Sequence, residues 1–200
     1  MRKYVFALFF VLIGLGFVFS QEEEINIVPS ESNNYIFQLG MGSSYSFYHH
    51  DIQTVLNSMD KGSLSRIPFC IDFLFGKKIS PTTAWTGTFN SGIDSFSDSS
   101  DSFQIYTVLL SIGVQYIPFK KGLTLGVGAG GSLLIPNTTL SYVGNLEFGS
   151  TISFDIGYFF EALKFTNRGI IPGLGLKYTH SEMSRGIVDQ VSGYINLGIR

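Results

Sequence analysis

Along much of the chain, large apolar side chains occur at every second position. From Leu146 to Phe160, one row holds Leu146, Phe148, Ser150, Ile152, Phe154, Ile156, Tyr158 and Phe160. The alternate row holds Glu147, Gly149, Thr151, Ser153, Asp155, Gly157 and Phe159. A strand sends successive side chains to opposite faces, so this period gives one greasy face and one small, polar, charged face. At helical spacing the same residues scatter around the axis. The run also exceeds the about 5–6 residues of an ordinary strand and reaches the about 9–11 that a tilted strand needs to cross a bilayer.

Read in order, the pattern predicts eight such strands. The first sets Tyr35, Phe37, Leu39, Met41, Tyr45 and Phe47 against Gln38, Gly40, Gly42, Ser44 and Ser46. A polar connection, His49 to Ser63, follows. The second strand alternates Ile67, Phe69, Ile71, Phe73 and Phe75 with Pro68, Cys70, Asp72 and Leu74, and Pro68 predicts a bulge or the membrane edge. Gly76 to Pro81 reads as a tight turn. The third strand, about Thr82 to Ser91, has Trp85 and Phe89 in one phase, and Gly92 to Ser102 reads as a loop. The fourth, Phe103 to Ile117, turns Tyr106, Val108, Leu110, Ile112, Val114 and Tyr116 one way. The fifth sets Leu123, Leu125, Val127, Ala129 and Leu133 against glycine, threonine and serine, with a short loop at Pro136 to Thr139. The sixth is the stretch described first. The seventh carries Ile170, Leu174, Leu176 and Tyr178, with Lys177 in the other phase, and Ser181 to Gln190 reads as a loop. The eighth carries Val191, Ile195, Leu197 and Ile199.

These strands predict an all-β fold, an antiparallel up-and-down transmembrane barrel over residues 35–200. Ahead of it, Arg2 and Lys3 precede an apolar stretch from Tyr4 to Phe19, and Val18-Phe19-Ser20 has the small residues of a cleavage site. Residues 1–20 read as a cleaved signal peptide, and 21–34 as a polar leader. The 200 residues are 44% hydrophobic but only 14% charged, against a usual charged fraction of about 25%. No apolar run past the leader reaches the roughly 20 residues of a membrane helix. The net charge of −2 argues against a nucleic-acid partner.

Charge supports the topology. The connections after strands two, four and six carry Lys77, Lys78, Lys120, Lys121, Lys164 and Arg168; the others carry Asp51, Asp60, Asp94, Asp98, Asp101, Glu182 and Asp189, with Lys61 and Arg185 as exceptions. Basic turns are expected in the periplasm and acidic loops outside the cell. Asp72, Glu147, Asp155 and Lys177 are expected inside, where they must pair, because an unpaired charge in low dielectric is costly. Trp85, Tyr106, Tyr116, Tyr158 and Tyr178 are expected as aromatic girdles, with ring buried and polar group wet.

On this alternation, and on a last strand reading Gly193-Tyr194-Ile195-Asn196-Leu197-Gly198-Ile199, the chain resembles the small eight-stranded outer-membrane barrels of the outer-membrane protein A and X kind. In that family the last strand usually ends in an aromatic residue; here Arg200 stands there. The resemblance covers Tyr35 to Arg200. It implies outer-membrane lipid and the barrel-assembly machinery as partners, and a structural or surface role in which the loops meet host or envelope proteins. It implies no cofactor, no metal and no catalytic residue.

Other readings stay open at this level. A soluble, exported, lipocalin-like barrel would use the same period with the apolar row inside and a lipophilic ligand. A narrow pore would use the inward charges. Thr179-His180-Ser181-Glu182 is similar to the His/Ser site of lipid A deacylases. Their Ser, however, lies two residues after the His, where this chain has Glu182, and adjacent residues of a strand diverge. His49-His50-Asp51 reads as a solvated loop rather than a metal site, Gly126 to Gly131 lacks the strand-to-helix setting of a phosphate loop, and Cys70 reads as an inert buried thiol.

Overall fold

The computed structural model describes residues 34–59, 64–99, 102–118, 122–138, 146–160, 163 and 170–199. The signal peptide and nearly all of the polar leader lie outside them, as do Lys120, Lys121, Lys164, Arg168 and Arg200. Eight strands are present: β1 (Tyr35–Phe47), β2 (Ser65–Ser80), β3 (Thr83–Ser97), β4 (Ser102–Tyr116), β5 (Leu123–Thr138), β6 (Glu147–Phe159), β7 (Ile170–Met183) and β8 (Gly186–Ile199). Each pairs antiparallel with its sequence neighbours, and β8 pairs back to β1, which closes the sheet into a barrel. One helix, α1 (His50–Ser58), lies between β1 and β2.

The register fixes the shape. Successive partners from Tyr35 run through Lys77, Trp85, Val114, Val127, Phe154, Tyr178 and Val191, and return to β1 at Tyr45, ten residues beyond the start. Eight strands with that stagger tilt by about 40° to the barrel axis. A barrel of this size has room inside for side chains and little else.

The greasy row faces out. Ile112 is 76% exposed, Ile195 69%, Phe148 68% and Ile67 67%. The polar row faces in, with Gln38, Asn90, Gln115, Ser192 and Asn196 all buried. A soluble lipocalin-like barrel requires the opposite phase.

Several expected loops are strand. β2 runs on through Lys77 and Lys78, and only Pro81–Thr82 turns. The irregularity in its pairing with β3 falls between Lys78 and Ser80, and the register past Pro68 is unbroken. β3 continues through Gly92, Asp94 and Phe96, and β5 through Pro136. Pro68 sits where one neighbour has dropped away. It lies beyond the last β1–β2 pair, while Pro136 is paired with Ile105 of β4. A strand with one neighbour tolerates the missing N–H. The expected loop Ser181–Gln190 is a tight hairpin turning at Ser184–Arg185. Glu182 and Asp189 are therefore strand residues, as is Asp94.

The expected polar connection from His49 is α1. Ile52 and Val55, three apart, are buried on one side, while His50, Asp51, Gln53 and Thr54 face solvent. Asp51 lies in the first turn, where the exposed N–H groups of the helix favour a negative charge.

Candidate functional site

The interior is the part of the molecule where charges meet. It is layered. The lower mouth, where β1 begins and β8 ends, is floored by Ile36, Leu74, Ala84 and Ile117. Phe159, at the lower end of β6, is fully buried in the polar phase of that strand. Its ring fits because Gly173 and Gly198 stand against it; a Cβ on Gly173 would come within 2.9 Å of the ring.

The middle layer is polar. Lys177 donates to Asp72, and the Asn90 side-chain nitrogen donates to Asp72 Oδ1 (3.2 Å) and to the Tyr194 hydroxyl (2.6 Å). Gln38 donates to Gln115 (3.1 Å). Asp155 is the register partner of Lys177 on β6, within reach of its charge. Gly126 makes the space for it, since a Cβ there would collide with the Asp155 carboxylate. Of the four charges expected inside, Asp72, Asp155 and Lys177 thus meet in one cluster. Lys177 is 4% exposed and Asp72 9%, so both depend on each other for solvation. A cavity of about 10 Å³, lined by Gln38, Asp72, Asp155 and Lys177, adjoins this layer and has room for about one water molecule; a second of the same size lies higher, between Thr179, Gln190 and Met183.

The fourth charge, Glu147, lies at the upper mouth beneath α1. Its Oε1 bonds His49 Nε2 (3.2 Å) and lies 4.0 Å from Arg185. On the other side of the mouth, Tyr48 donates to Asp94 Oδ2 (2.9 Å), and Arg66 pairs with both Asp94 oxygens. Burial and the Asp94 charge push the Tyr48 hydroxyl above its usual value, so it remains a donor. Two successive residues therefore pin the chain leaving β1 to opposite walls, Tyr48 to β3 and His49 to β6. His49 is buried at 7% exposure, contrary to the solvated loop expected of it. Past these pins, Ile52, Val55 and Met59 pack on Phe96, Phe103, Ile105, Leu134, Met183 and Val188.

The sequence reading missed this cap. Its signal was present as apolar residues in the polar phase near the strand ends: Phe96 on β3, Phe103 and Ile105 on β4, Leu134 on β5, Val188 on β8.

The outward aromatics fall in two bands. Trp85, Tyr116 and Tyr158 lie toward the lower mouth, each about half exposed. Tyr106 and Tyr178 lie toward the upper mouth, Tyr106 bonded to Gln104 and Tyr178 to Asp189. His180 also faces out and bonds Asp189 (2.7 Å), whereas Ser181 faces in and bonds Thr151 (3.0 Å). The structure does not bring His180 and Ser181 together. Cys70 is buried on the inner face. No group of three or more metal-ligating side chains occurs among the described residues.

A closed, filled, eight-stranded antiparallel barrel with an apolar outer belt is the fold of the small outer-membrane barrels. Solved structures of Ail, the attachment invasion locus protein of Yersinia pestis, share it. One matches with a TM-score of 0.52 at 10% identity, over 82% of this chain and 97% of that one. A second, of Ail with the heparin analogue sucrose octasulfate, gives 0.51 at 9% identity over the same shares. Neisserial surface protein A gives 0.47 at 11% identity, over 84% of this chain and 97% of that one. At these identities the likeness is one of fold. No family model matches the chain, and no curated protein matches its sequence.

Proposed function

We propose that this chain is an integral outer-membrane barrel with a structural or surface-interaction role, its upper mouth outside the cell. One observation carries the reading: side chains as greasy as Ile112 and Ile195 stand on the outer face near mid-height, while the charges are inside and paired. In water that arrangement would expose a continuous apolar belt; in a bilayer it is the stable one. The two aromatic bands mark the membrane interfaces, with Trp85, Tyr116 and Tyr158 at the periplasmic one and Tyr106 and Tyr178 at the outer one. Export by the signal peptide and insertion by the barrel-assembly machinery follow from that location.

Both mouths are closed by apolar layers and the middle by the Asp72–Lys177 pair, which favours a filled barrel over a standing pore. The surface left for partners is the outer rim, with Asp51 and Glu182 exposed on it. Ail has been solved with a heparin analogue; this acidic rim suits a host or envelope protein instead.

The test is membrane fractionation followed by heat-modifiability of the refolded mature chain on a gel. Retention with outer membranes and a mobility change on boiling support the reading. A detergent-free soluble monomer overturns it.

A further inference from the structure

Among the described residues, β1 and β2 part in their upper halves. The β1–β2 ladder runs from Tyr35↔Lys77 to Gly42↔Cys70 and stops. Above it, β1 is held by β8 as far as Phe47↔Asp189, and β2 by β3 as far as Ser65↔Ser97. Ser43–Phe47 and Ser65–Phe69 thus face each other without ladder bonds. The Arg66 guanidinium sits in that opening. It lies 4.2 Å from the centre of the outward Tyr45 ring and 5.0 Å from that of the inward Phe96 ring. It also donates to the Ser46 carbonyl (3.4 Å) across the gap, besides its pairing with Asp94.

Behind this seam lies the apolar upper chamber, above the polar middle layer. It is filled by α1, a nine-residue helix whose N-cap side chain makes no capping bond. A helix of that length holds together through its packing and not on its own. In front of the seam stand Tyr45, Ile67 and Phe69, all exposed on the lipid-facing side. An apolar chamber, a short stopper and an unladdered wall that opens on lipid occur together.

We propose that the upper chamber is a binding site for a single alkyl chain, that α1 is its resident stopper, and that the chain enters from the outer leaflet through the β1–β2 seam latched by Arg66. The side chains of Ile52, Val55 and Met59 carry about ten carbons between them, and each buried methylene brings a similar gain wherever it comes from. An alkyl chain can therefore replace them contact for contact. The Arg66 latch decides access, because its guanidinium ties Asp94 on the β3 side to the Ser46 carbonyl on β1 across the seam.

The inference rests on the outer-membrane reading, and one experiment separates the two. The full mature chain is reconstituted in lipid nanodiscs that contain a diazirine-bearing dodecyl alcohol, irradiated, and its crosslinks are mapped by peptide. Crosslinks are expected on Ile67 and Phe69 outside and also on Phe103, Ile105 or Leu134 inside, the inner set falling when plain dodecanol is added in excess. Arg66→Ala, which opens the latch, and the double variant Ile52→Ser/Val55→Ser, which loosens the stopper, are each expected to raise the inner share severalfold. Inner residues left unlabelled in the unsubstituted chain and in every variant that keeps its heat-modifiable mobility, with the outer rows labelled, overturn the site. If no variant folds, the unsubstituted chain decides alone. Outer rows left unlabelled overturn the membrane reading itself.

Discussion

Replacing Lys177 by methionine tests how the interior is held. Methionine keeps the length and apolar stem of lysine and removes only its charge. Asp72, 9% exposed, then keeps the Asn90 bond but has lost its cation, and Asp155 faces it with no positive charge between them. Breaking a buried pair by removing one partner costs about 3–5 kcal/mol. Against a total stability of about 5–15 kcal/mol this is a large share. With a urea slope of about 2 kcal/mol per molar, it lowers the unfolding midpoint by ~2 M. The assay is urea titration of the chain refolded in lipid vesicles, read by the fluorescence of Trp85, the only tryptophan, which lies on the lipid-facing side.

The companion variants decide the cause. Asp72→Asn alone leaves Lys177 with Asp155 as a counter-charge, so it should cost less than Lys177→Met. The double variant Lys177→Met/Asp72→Asn should recover most of the loss, because both charges leave together. Adding Asp155→Asn should recover the remainder. The two single effects should then couple by at least about 1 kcal/mol, as contacting residues do. A cost for Lys177→Met below about 1 kcal/mol, or strict additivity in the double variant, refutes the argument that the cation neutralises this cluster.

Three further outcomes follow from the same geometry. Ile112→Lys and Ile195→Lys should each destabilise the folded barrel in vesicles by about 2–4 kcal/mol, the cost of a charge near the bilayer midplane; both positions are so exposed that the same change would be almost silent in water, and equilibrium titration distinguishes the two. Phe159→Ala empties the floor of the barrel at a fully buried site and should cost about 3–5 kcal/mol by the same titration, since the glycines around it have no side chains to fill the space. Heparin–agarose should not retain the detergent-solubilised protein at physiological salt, because the exposed carboxylates of Asp51 and Glu182 repel a polyanion; retention lost with added salt would show that the rim charge has been misjudged.

The barrel was legible in the sequence because one physical rule dominates its exterior. Lipid on one side and packed polar groups on the other force a period of two, and that period separated the large apolar row of each strand from the row that holds Lys177 without reference to any partner strand; which row faces out came from the small, uncharged residues of the polar row, unsuited to a solvated exterior. Strand ends were less legible because their signals are local and the sheet overrides them. Gly92-Ile93-Asp94 reads as loop, yet Asp94 is held in β3 by Arg66 on the neighbouring strand, a partner 28 residues away. Pro136 reads as a breaker, yet it continues β5 opposite Ile105 of β4. Conversely, α1 was hidden because its apolar residues are few and its packing surface comes from five other strands. Ile52 and Val55 in a polar stretch mean little by themselves. They gain meaning only when Phe103, Ile105 and Leu134 turn inward at the same mouth, against the polar phase of their own strands. Such out-of-phase apolar residues, clustered at one end of a barrel, require something apolar to cover them. In this chain the requirement is met by a nine-residue helix beside a stretch of wall where β1 and β2 part.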